Sequence, residues 1–333
     1  MSSSTSLRDD DAPVLVCQID CVHGMVDALS SVRWKRHQDA VMELSEHGIV
    51  LSVEESGCLQ AKVFLKREVS RDAPAPACAC LRLCLCAPGP LKCSGISQLF
   101  VEYDYAGDGR QRFGLSLGLF VDCLNIFSSP GHASAVEIRY PGPDMQLLLK
   151  SVGSPDACLY AEIRTRIPDT VSWDYHFEHD GNTPVTFTVK SAVLKETIDD
   201  LEWPGSSIQI RMQPDPPTVI LKGEGHGDLQ IEFPYYANTD LLIMFQCDHE
   251  VSYRYKYKFL RATTSNIPSS VMKDNRRTKA SIGRGGMLKI QHLVSLARPG
   301  MPYFRNIGGG TEQTSRIAHI EFFVKPEEDD IDA

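Results

Sequence analysis

The sequence predicts an α+β protein made of two similar halves. Short strand patterns separated by turn residues dominate the chain, and four short amphipathic helical patterns interrupt them. The same order of helix and strands recurs on both sides of a polar, irregular stretch at residues 168–184. We therefore expect two α+β domains, each with antiparallel strands and with helices packed on one face of the sheet.

The first half is expected to span residues 13–167. The strand PVLVCQI opens it and precedes a helical pattern at 22–32, where apolar residues recur at i, i+3, i+4 and i+7. Three strand patterns with His-Gly and Ser-Gly turns follow, and a second helical pattern occupies 116–127. Three further strand patterns then end with CLYAEIRTRI at 158–167.

The second half is expected to span residues 185–325, after a connector at 168–184. Strand VTFTVKS precedes a helical pattern at 192–203, and three strand patterns ending with LQIEFPYY come next. SYRYKYK, a short helical pattern at 259–267 and three last strand patterns complete the half. Residues 1–12 and the acidic end, 326–333, are expected to be disordered tails.

Composition narrows the class of protein. The chain has 333 residues, 42% hydrophobic and 23% charged, and it contains no apolar run long enough to span a bilayer. Its start lacks the pattern of a secretory signal, so the eleven cysteines are expected to be reduced thiols. A net charge of −9 argues against a surface covered with nucleic-acid-binding groups, although basic groups on one face remain compatible with it.

A cysteine-rich segment, ACACLRLCLC, stands out at residues 77–86. Its C-x-C-x3-C-x-C spacing differs from the C-x2-C pairs of structural zinc sites. The surrounding stretch, about 70–97, is rich in alanine and proline and lacks strand or helix periodicity. We interpret it as a disordered insert between two strands, with no metal site and no cofactor. The cysteines concerned are Cys78, Cys80, Cys84, Cys86 and Cys93.

No enzyme motif emerges. The glycine-rich stretches GEGHGD and IGRGGM lie between strand patterns, where hairpin turns explain them better than phosphate binding does. A metal-dependent exonuclease is an alternative, but the acids it could use are scattered over helix, turn and strand patterns. These acids are Asp199, Asp200, Asp215, Glu232 and Asp240. We assign no catalytic residue.

Three segments carry a resemblance to a known family. FVDCLNIFSS, IQIRMQPDPPTVILKGEGHGDLQIEFPY and VSYRYKYKFLRATTS resemble the Rad-one subunit family of the checkpoint sliding clamp. The resemblance runs from about residue 13 to residue 326, apart from the insert and part of the connector. It implies a PCNA-like DNA-clamp fold, with two similar domains, antiparallel sheets and two helices per domain on the inner face.

The resemblance also implies a function. The expected protein is one third of the heterotrimeric nine-one-one ring, assembled with Rad-nine and Hus-one subunits and placed on damaged DNA by a checkpoint clamp loader. It implies a nuclear location, binding to double-stranded DNA without sequence specificity, and a role in checkpoint signalling and repair without chemistry of its own. A homotrimeric processivity clamp and the exonuclease remain the alternatives.

Candidate site residues follow from the position of each segment in that order. Basic residues on or beside the helices are expected to face DNA phosphates. They are Arg33, Lys35, Arg36, Lys190, Lys195, Lys258 and Arg261. Two edge strands, 158–167 and 228–236, are expected to pair with neighbouring subunits. Their candidate interface residues are Tyr160, Glu162, Ile163, Arg164, Leu229, Ile231 and Phe233. Connector residues Trp173, Tyr175 and Phe177 either shape a groove for partner peptides or form an ordinary linker.

Overall fold

The computed structural model describes most of the chain between residues 13 and 328. The described residues are 13–20, 22–67, 100–128, 135–152, 158–168, 174–181, 183–202, 206–236, 240–268, 276–295 and 317–328. The predicted N-terminal tail, the cysteine-rich insert and residues 329–333 of the acidic tail lie outside them. Trp173 of the connector also lies outside the described residues.

Over its described residues, the first half contains nine strands and two helices. The strands are β1 (Leu15–Ile19), β2 (Asp39–Ser45), β3 (Gly48–Glu55), β4 (Leu59–Lys66), β5 (Phe100–Tyr105), β6 (Gln111–Ser116), β7 (Ala135–Tyr140), β8 (Leu147–Val152) and β9 (Tyr160–Ile163). The helices are α1 (Val22–Ser30), after β1, and α2 (Leu117–Phe127), which follows β6 without a break. The Ser116 side chain caps α2 by accepting a hydrogen bond from the Leu119 N–H.

The second half repeats this order. Its strands are β10 (Val185–Lys190), β11 (Ser207–Pro214), β12 (Pro217–Glu224), β13 (Asp228–Pro234), β14 (Leu242–Gln246), β15 (Val251–Lys256), β16 (Arg277–Ile282), β17 (Leu288–Ser295) and β18 (Ile317–Val324). Helix α3 (Ser191–Asp200) follows β10, and α4 (Tyr257–Ala262) follows β15. α1 packs against α2, and α3 packs against α4.

The strands form three antiparallel sheets. A five-stranded sheet has the order β5-β1-β7-β8-β9 and belongs to the first half, whereas a four-stranded sheet has the order β13-β12-β11-β15 and belongs to the second. The third sheet has nine strands in the order β14-β10-β16-β17-β18-β4-β3-β2-β6. Each half therefore contributes the same two blocks, one of five strands and one of four.

The nine-stranded sheet joins the two halves. Its central pair is β4 from the first half and β18 from the second, paired from His319 opposite Phe64 to Val324 opposite Leu59. We call this pair the internal junction. By the repeat, β9 is the counterpart of β18, and β13 is the counterpart of β4. These two counterparts do not pair with each other within the chain, and each ends its sheet as an edge strand.

The predicted buried faces are confirmed. All four apolar residues of the 22–32 pattern are buried, and so are Leu117, Val121, Leu124 and Phe127 of α2. Burial of such faces between helix and sheet is the main stabilising contribution to this fold. The described residues include no helix that is both long and apolar enough to cross a membrane.

Three elements differ from the sequence prediction. Strand β9 covers only Tyr160–Ile163, because the chain then leaves the five-stranded sheet and forms a single bridge between Arg166 and Gly114 of β6. Strand β14 was not predicted, because LIMFQ lacks alternation. Helix α4 begins two residues before the predicted 259–267 segment and is followed by turns after Ala262, because Tyr257 continues directly from β15.

Candidate DNA-facing and subunit-interface surfaces

The edge strand β9 carries the first set of candidate interface residues. Tyr160 and Glu162 are exposed, Ile163 is buried in the core and Arg164 lies exposed just beyond the strand. The Ser151 N–H donates to the Leu159 carbonyl at 2.9 Å, so alternate residues from Leu159 onward bond to β8. The backbone groups of Tyr160 and Glu162 therefore point away from the sheet and are available for a further strand.

The edge strand β13 carries the second set. Leu229 and Ile231 are half-buried, and Phe233 is buried. The Tyr235 N–H donates to the Pro217 carbonyl at 2.8 Å, which assigns the odd-numbered residues of β13 to the β12 ladder. The backbone groups of Gln230 and Glu232 consequently point to the open side of the edge.

A groove adjoins β13 on the side of the helices. It has a volume of about 730 Å³ and is lined by the end of α3 and by the apolar face of β13. Its lining residues are Asp199, Asp200, Glu202, Leu229 and Ile231. We call it the α3–β13 groove. The sequence predicts Asp199 and Asp200 only as scattered surface acids. The structure brings them together with Glu202 beside the edge strand β13.

Helix α2 has an exposed apolar stripe that sequence reasoning missed. Leu119 and Ile126 are 49% and 52% exposed, and Cys123 is half-buried between them. Their i, i+4, i+7 spacing, opposite the predicted buried face, was the available signal. α2 lies next to β9, so the helix that accompanies the first edge carries this stripe.

Acids within the chain neutralise most of the candidate DNA-facing cations. Four of the seven cations have a carboxylate partner, at 2.8 Å for Arg33, 2.6 Å for Lys35 and 2.7 Å for Arg261. The pairs are Arg33 with Asp122, Lys35 with Glu55, Lys195 with Asp199, and Arg261 with Glu202. Among the described residues Arg36, Lys190 and Lys258 have no ion pair. Lys258 lies over the Phe259 ring, 4.6 Å from its centroid.

The connector and the nine-stranded sheet enclose a large groove. It has a volume of about 1980 Å³ and is lined by residues 174–177 together with parts of β2, β3 and β4. We call it the connector groove. It lies on the sheet face opposite the core, because Lys62, Phe64 and Lys66 line it, whereas Ala61 and Val63 do not and are buried on the other face.

Cation–ring contacts fasten the connector to this groove. The Lys325 ammonium lies 4.9 Å from the Tyr175 ring centroid, and Lys289 lies 5.7 Å from that of Phe177. Lys62 and Lys289 each lie 5.4 Å from the centroid of the Phe323 ring, which also lines the groove. Each such contact stabilises by about 0.5–2 kcal/mol. Sequence reasoning named Tyr175 and Phe177 but missed these lysines, because strands distant in sequence supply them.

The acids considered for a nuclease lie apart. Asp199 and Asp200 end α3, Asp215 is in the β11–β12 turn, Glu232 is on β13 and Asp240 precedes β14. Over the described ranges, no group of three or more His, Cys, Asp or Glu side chains is placed to hold a metal ion. The cysteine-rich insert falls outside those ranges, so its interpretation stays a prediction.

The architecture matches that of a solved PCNA structure. The crystal structure of PCNA from Thermococcus kodakaraensis aligns with a TM-score of 0.60, covering 94% of this chain and 100% of that one at 11% sequence identity. Two halves, each with sheets and a pair of packed helices, together with the edge strands β9 and β13, define a PCNA-like clamp fold. The predicted fold class is thereby confirmed.

Sequence comparisons identify the branch of this class. The family model of repair proteins Rad1/Rec1/Rad17 matches residues 14–294, so the chain belongs to that family. The cell cycle checkpoint proteins RAD1 of Mus musculus and Homo sapiens are each 24% identical, over 95% and 96% of this chain and 93% and 94% of theirs. The DNA repair protein Rad1 of Drosophila melanogaster is 21% identical over 84% of this chain and 87% of that protein. The chain is thus a checkpoint clamp subunit acting in the DNA-damage checkpoint and repair.

Proposed function

We propose that this chain is one subunit of a heterotrimeric ring that encircles DNA, and that β9 and β13 join it to its two neighbours. The observation that carries the proposal is the internal junction. β18 and β4 pair along six residues within the chain, while their counterparts β9 and β13 are both open. Repeating the same junction between chains continues the sheet and satisfies the open backbone groups.

The resemblance to the Rad-one subunit family supports the choice of partners that we propose. The two neighbours are clamp subunits of the Rad-nine and Hus-one types, and a checkpoint clamp loader places the ring on damaged DNA in the nucleus. DNA binding is independent of sequence, because phosphate contacts by lysine and arginine carry no base information. Because four of the seven candidate cations are paired with acids, this subunit contributes little to the DNA affinity of the ring. The work of the ring is topological, with partner recruitment in place of catalysis.

The connector groove is the proposed docking site for partner peptides. It combines aromatic side chains with lysines on one sheet face, and the connector forms one wall. Such a groove suits an extended peptide that brings apolar side chains flanked by acids. This role deepens the sequence-based expectation for Tyr175 and Phe177.

The open edges provide the test. Glu162→Pro removes one N–H that points to the open side of β9, and Glu232→Pro does the same on β13. We expect each variant to lose one neighbour and keep the other, because each edge serves one partner. Pairwise pull-down and mass measurement of the mixed subunits would report this.

The matched controls are Glu162→Ala and Glu232→Ala, which remove the same side chains but keep the backbone donors. Both controls should assemble fully. If both proline variants still form the complete ring, or if wild-type chain binds neither neighbour, the proposed function is wrong.

A further inference from the structure

The internal junction supplies a residue register for the open edges, provided that the proposed ring holds. A one-turn 3-10 helix precedes each of β8 and β17, at Pro143–Met145 and Arg284–Gly286, and after one intervening residue the strands begin at Leu147 and Leu288. Ile163 pairs with Leu147, and Val324 pairs with Leu288. Counting back one residue makes Glu162 the counterpart of Phe323.

The other edge is counted in the same way. Ser116 precedes α2, and the strand pairing that starts from it runs through β2 and β3 to β4. Lys256 precedes α4, and the corresponding pairing runs through β11 and β12 to β13. This makes Gln60 the counterpart of Asp228. Phe323 pairs with Gln60 in the internal junction. In the same register, a second copy of this chain would place its Glu162 opposite Asp228, whose carboxylate lies 3.9 Å from the Lys222 ammonium at the limit of an ion pair. Like charges directly opposite each other destabilise a strand pair.

The helix side of the junction gives an independent argument. There the Asn266 amide, after α4, donates to the Arg33 carbonyl, after α1, at 2.8 Å. Counted from the helix starts, Asn266 corresponds to Ile126. Aligning the buried faces of α1 and α3, with Met25 on Leu194, makes Arg33 the counterpart of Glu202. A second copy would therefore lay the exposed Ile126 against the acidic end of α3.

Burial of Asp200 at the interface would require a positive charge from the partner. The same alignment pairs Asp200 with Ser31, which is fully buried directly after α1, the helix that lies next to β18. Asp200 is exposed in the free chain and lines the α3–β13 groove. Closing the groove would bury its carboxylate at a helix C-terminus, where negative charge is already unfavourable. α3 has no basic residue in its last turn, and α2 has none at all to offer from a second copy.

We propose that the α3–β13 groove receives the edge strand of a different clamp subunit, and that this partner brings a lysine or arginine on its accompanying helix to Asp200. Asp199 and Glu202 are already paired with Lys195 and Arg261, so Asp200 is the acid of the groove that, together with Asp228, has a double role. They attract the correct basic partner and reject a second copy of this chain. The occupant is therefore an apolar edge strand that pairs in the register of the internal junction and has a basic residue on its accompanying helix.

A charge reversal tests the attraction. Asp200→Lys should weaken binding to the β13-side neighbour about tenfold at low salt, and less at high salt, while the β9-side neighbour binds normally. Glu196→Lys is the matched control, because it makes the same charge change at an exposed position of α3 that does not line the groove. Binding isotherms of the full chain at two salt concentrations measure both.

A gain of self-association tests the rejection. Ile126→Lys combined with Glu162→Lys gives the chain's own β9 edge the groups that the groove requires. Sedimentation at micromolar concentration should then show head-to-tail oligomers that wild-type chain does not form. Glu102→Lys with Leu293→Lys is the control, since it adds the same charge at exposed positions away from α2 and β9.

The outcomes separate this inference from the proposed function. Wild-type chain that binds neither neighbour contradicts the ring itself. Wild-type chain that binds both neighbours, with Asp200→Lys unchanged or as inert as Glu196→Lys, contradicts only the basic partner. Self-association of wild-type chain, or none in the double-lysine variant, overturns the rejection of a second copy.

Discussion

The two halves share one architecture but fill the space beneath their first helices differently. Under α3, four fully buried polar residues form a chain of hydrogen bonds: Ser191, Thr278, His292 and Thr263. His292 Nε2 donates to the Thr263 carbonyl at 3.0 Å, and its Nδ1 lies 3.0 Å from the Thr278 hydroxyl. The first half has Val22, Cys123 and Ser151 at the counterparts of Ser191, Thr263 and His292, counted as above.

The difference shows that the helix–sheet interface of this fold tolerates either apolar contact or a satisfied polar network. The network has a stricter requirement, because a buried donor or acceptor that loses its partner costs more than a lost apolar contact of similar size. It also makes the second half sensitive to proton concentration, since a buried histidine is its centre. The first half has no counterpart of that histidine.

The largest expected effect comes from removing this centre. His292→Leu leaves the Thr263 carbonyl without its donor and removes one of the two bonds of the Thr278 hydroxyl, so the free energy of unfolding should fall by about 3 kcal/mol. Urea unfolding at pH 7 measures it. Ser151→Ala in the first half should cost about 1 kcal/mol, because it removes one hydrogen bond, from the Leu159 N–H. Equal losses would mean that the network has no special weight.

The pH dependence should differ in the same way. Burial lowers the pKa of His292 to about 4 from its usual 6.5. Between these values the unfolded chain binds a proton that the native chain does not, so stability falls as pH drops, by about 1.4 kcal/mol per unit. Native-state hydrogen exchange should show amides of β16 and β17 losing protection between pH 6.5 and 5, before those of β7 and β8.

His292→Gln is the control for this behaviour, because it keeps a donor and an acceptor but cannot titrate. Burial also lowers the pKa of His319. His319 therefore contributes to the pH dependence of stability in the same direction in wild-type chain and in the variant. The difference in pH slope between wild-type chain and the variant isolates His292. Identical slopes would show that His292 is not the titrating group.

A smaller effect concerns the charges on the helices, which are reversed between the halves. The first half has its cation after α1 and its acid on α2, as Arg33 and Asp122, whereas the second has its acid after α3 and its cation on α4, as Glu202 and Arg261. On the assembled ring, changing the unpaired cations Arg36, Lys190 and Lys258 to alanine should flatten the salt dependence of DNA binding.

The expected change is up to about 0.9 in log–log slope for each lost phosphate contact, equally on unrelated duplexes. Alanine at the paired cations should flatten the slope less, because each removal also releases an acid. The paired set is Arg33, Lys35, Lys195 and Arg261. An unchanged slope in both sets would place the DNA path elsewhere.

The smallest effect is expected for the cysteine-rich insert. Deleting residues 71–97 should leave the melting temperature and partner binding unchanged, because β4 and β5 on either side belong to different sheets and each has its own partner strands. Differential scanning calorimetry and zinc analysis of the purified chain check it. Stoichiometric zinc that is lost in Cys80→Ser with Cys84→Ser would contradict the interpretation of the segment.

Local patterns account for what the sequence could predict. The buried face of α2 followed from its spacing alone, and the alternation of β3 and β4 predicted both strands. The ion pair of Arg33 with Asp122 links residues far apart in sequence, so no local pattern contains it. The acid-lined groove at β13 was missed for the same reason, because Asp200 and Leu229 meet only through the packing of a helix beside a strand.

The nine-stranded sheet has a mechanical consequence. Its central pair is held by six paired positions and is flanked by further strands on both sides, so a pull that separates the two halves must break a row of backbone bonds. Strand β9 offers only four residues to a neighbour. In an assembled ring, the internal junction would then resist separation more strongly than the strand pairing at β9. Under strain the ring should open at β9, while the two halves of this chain stay joined.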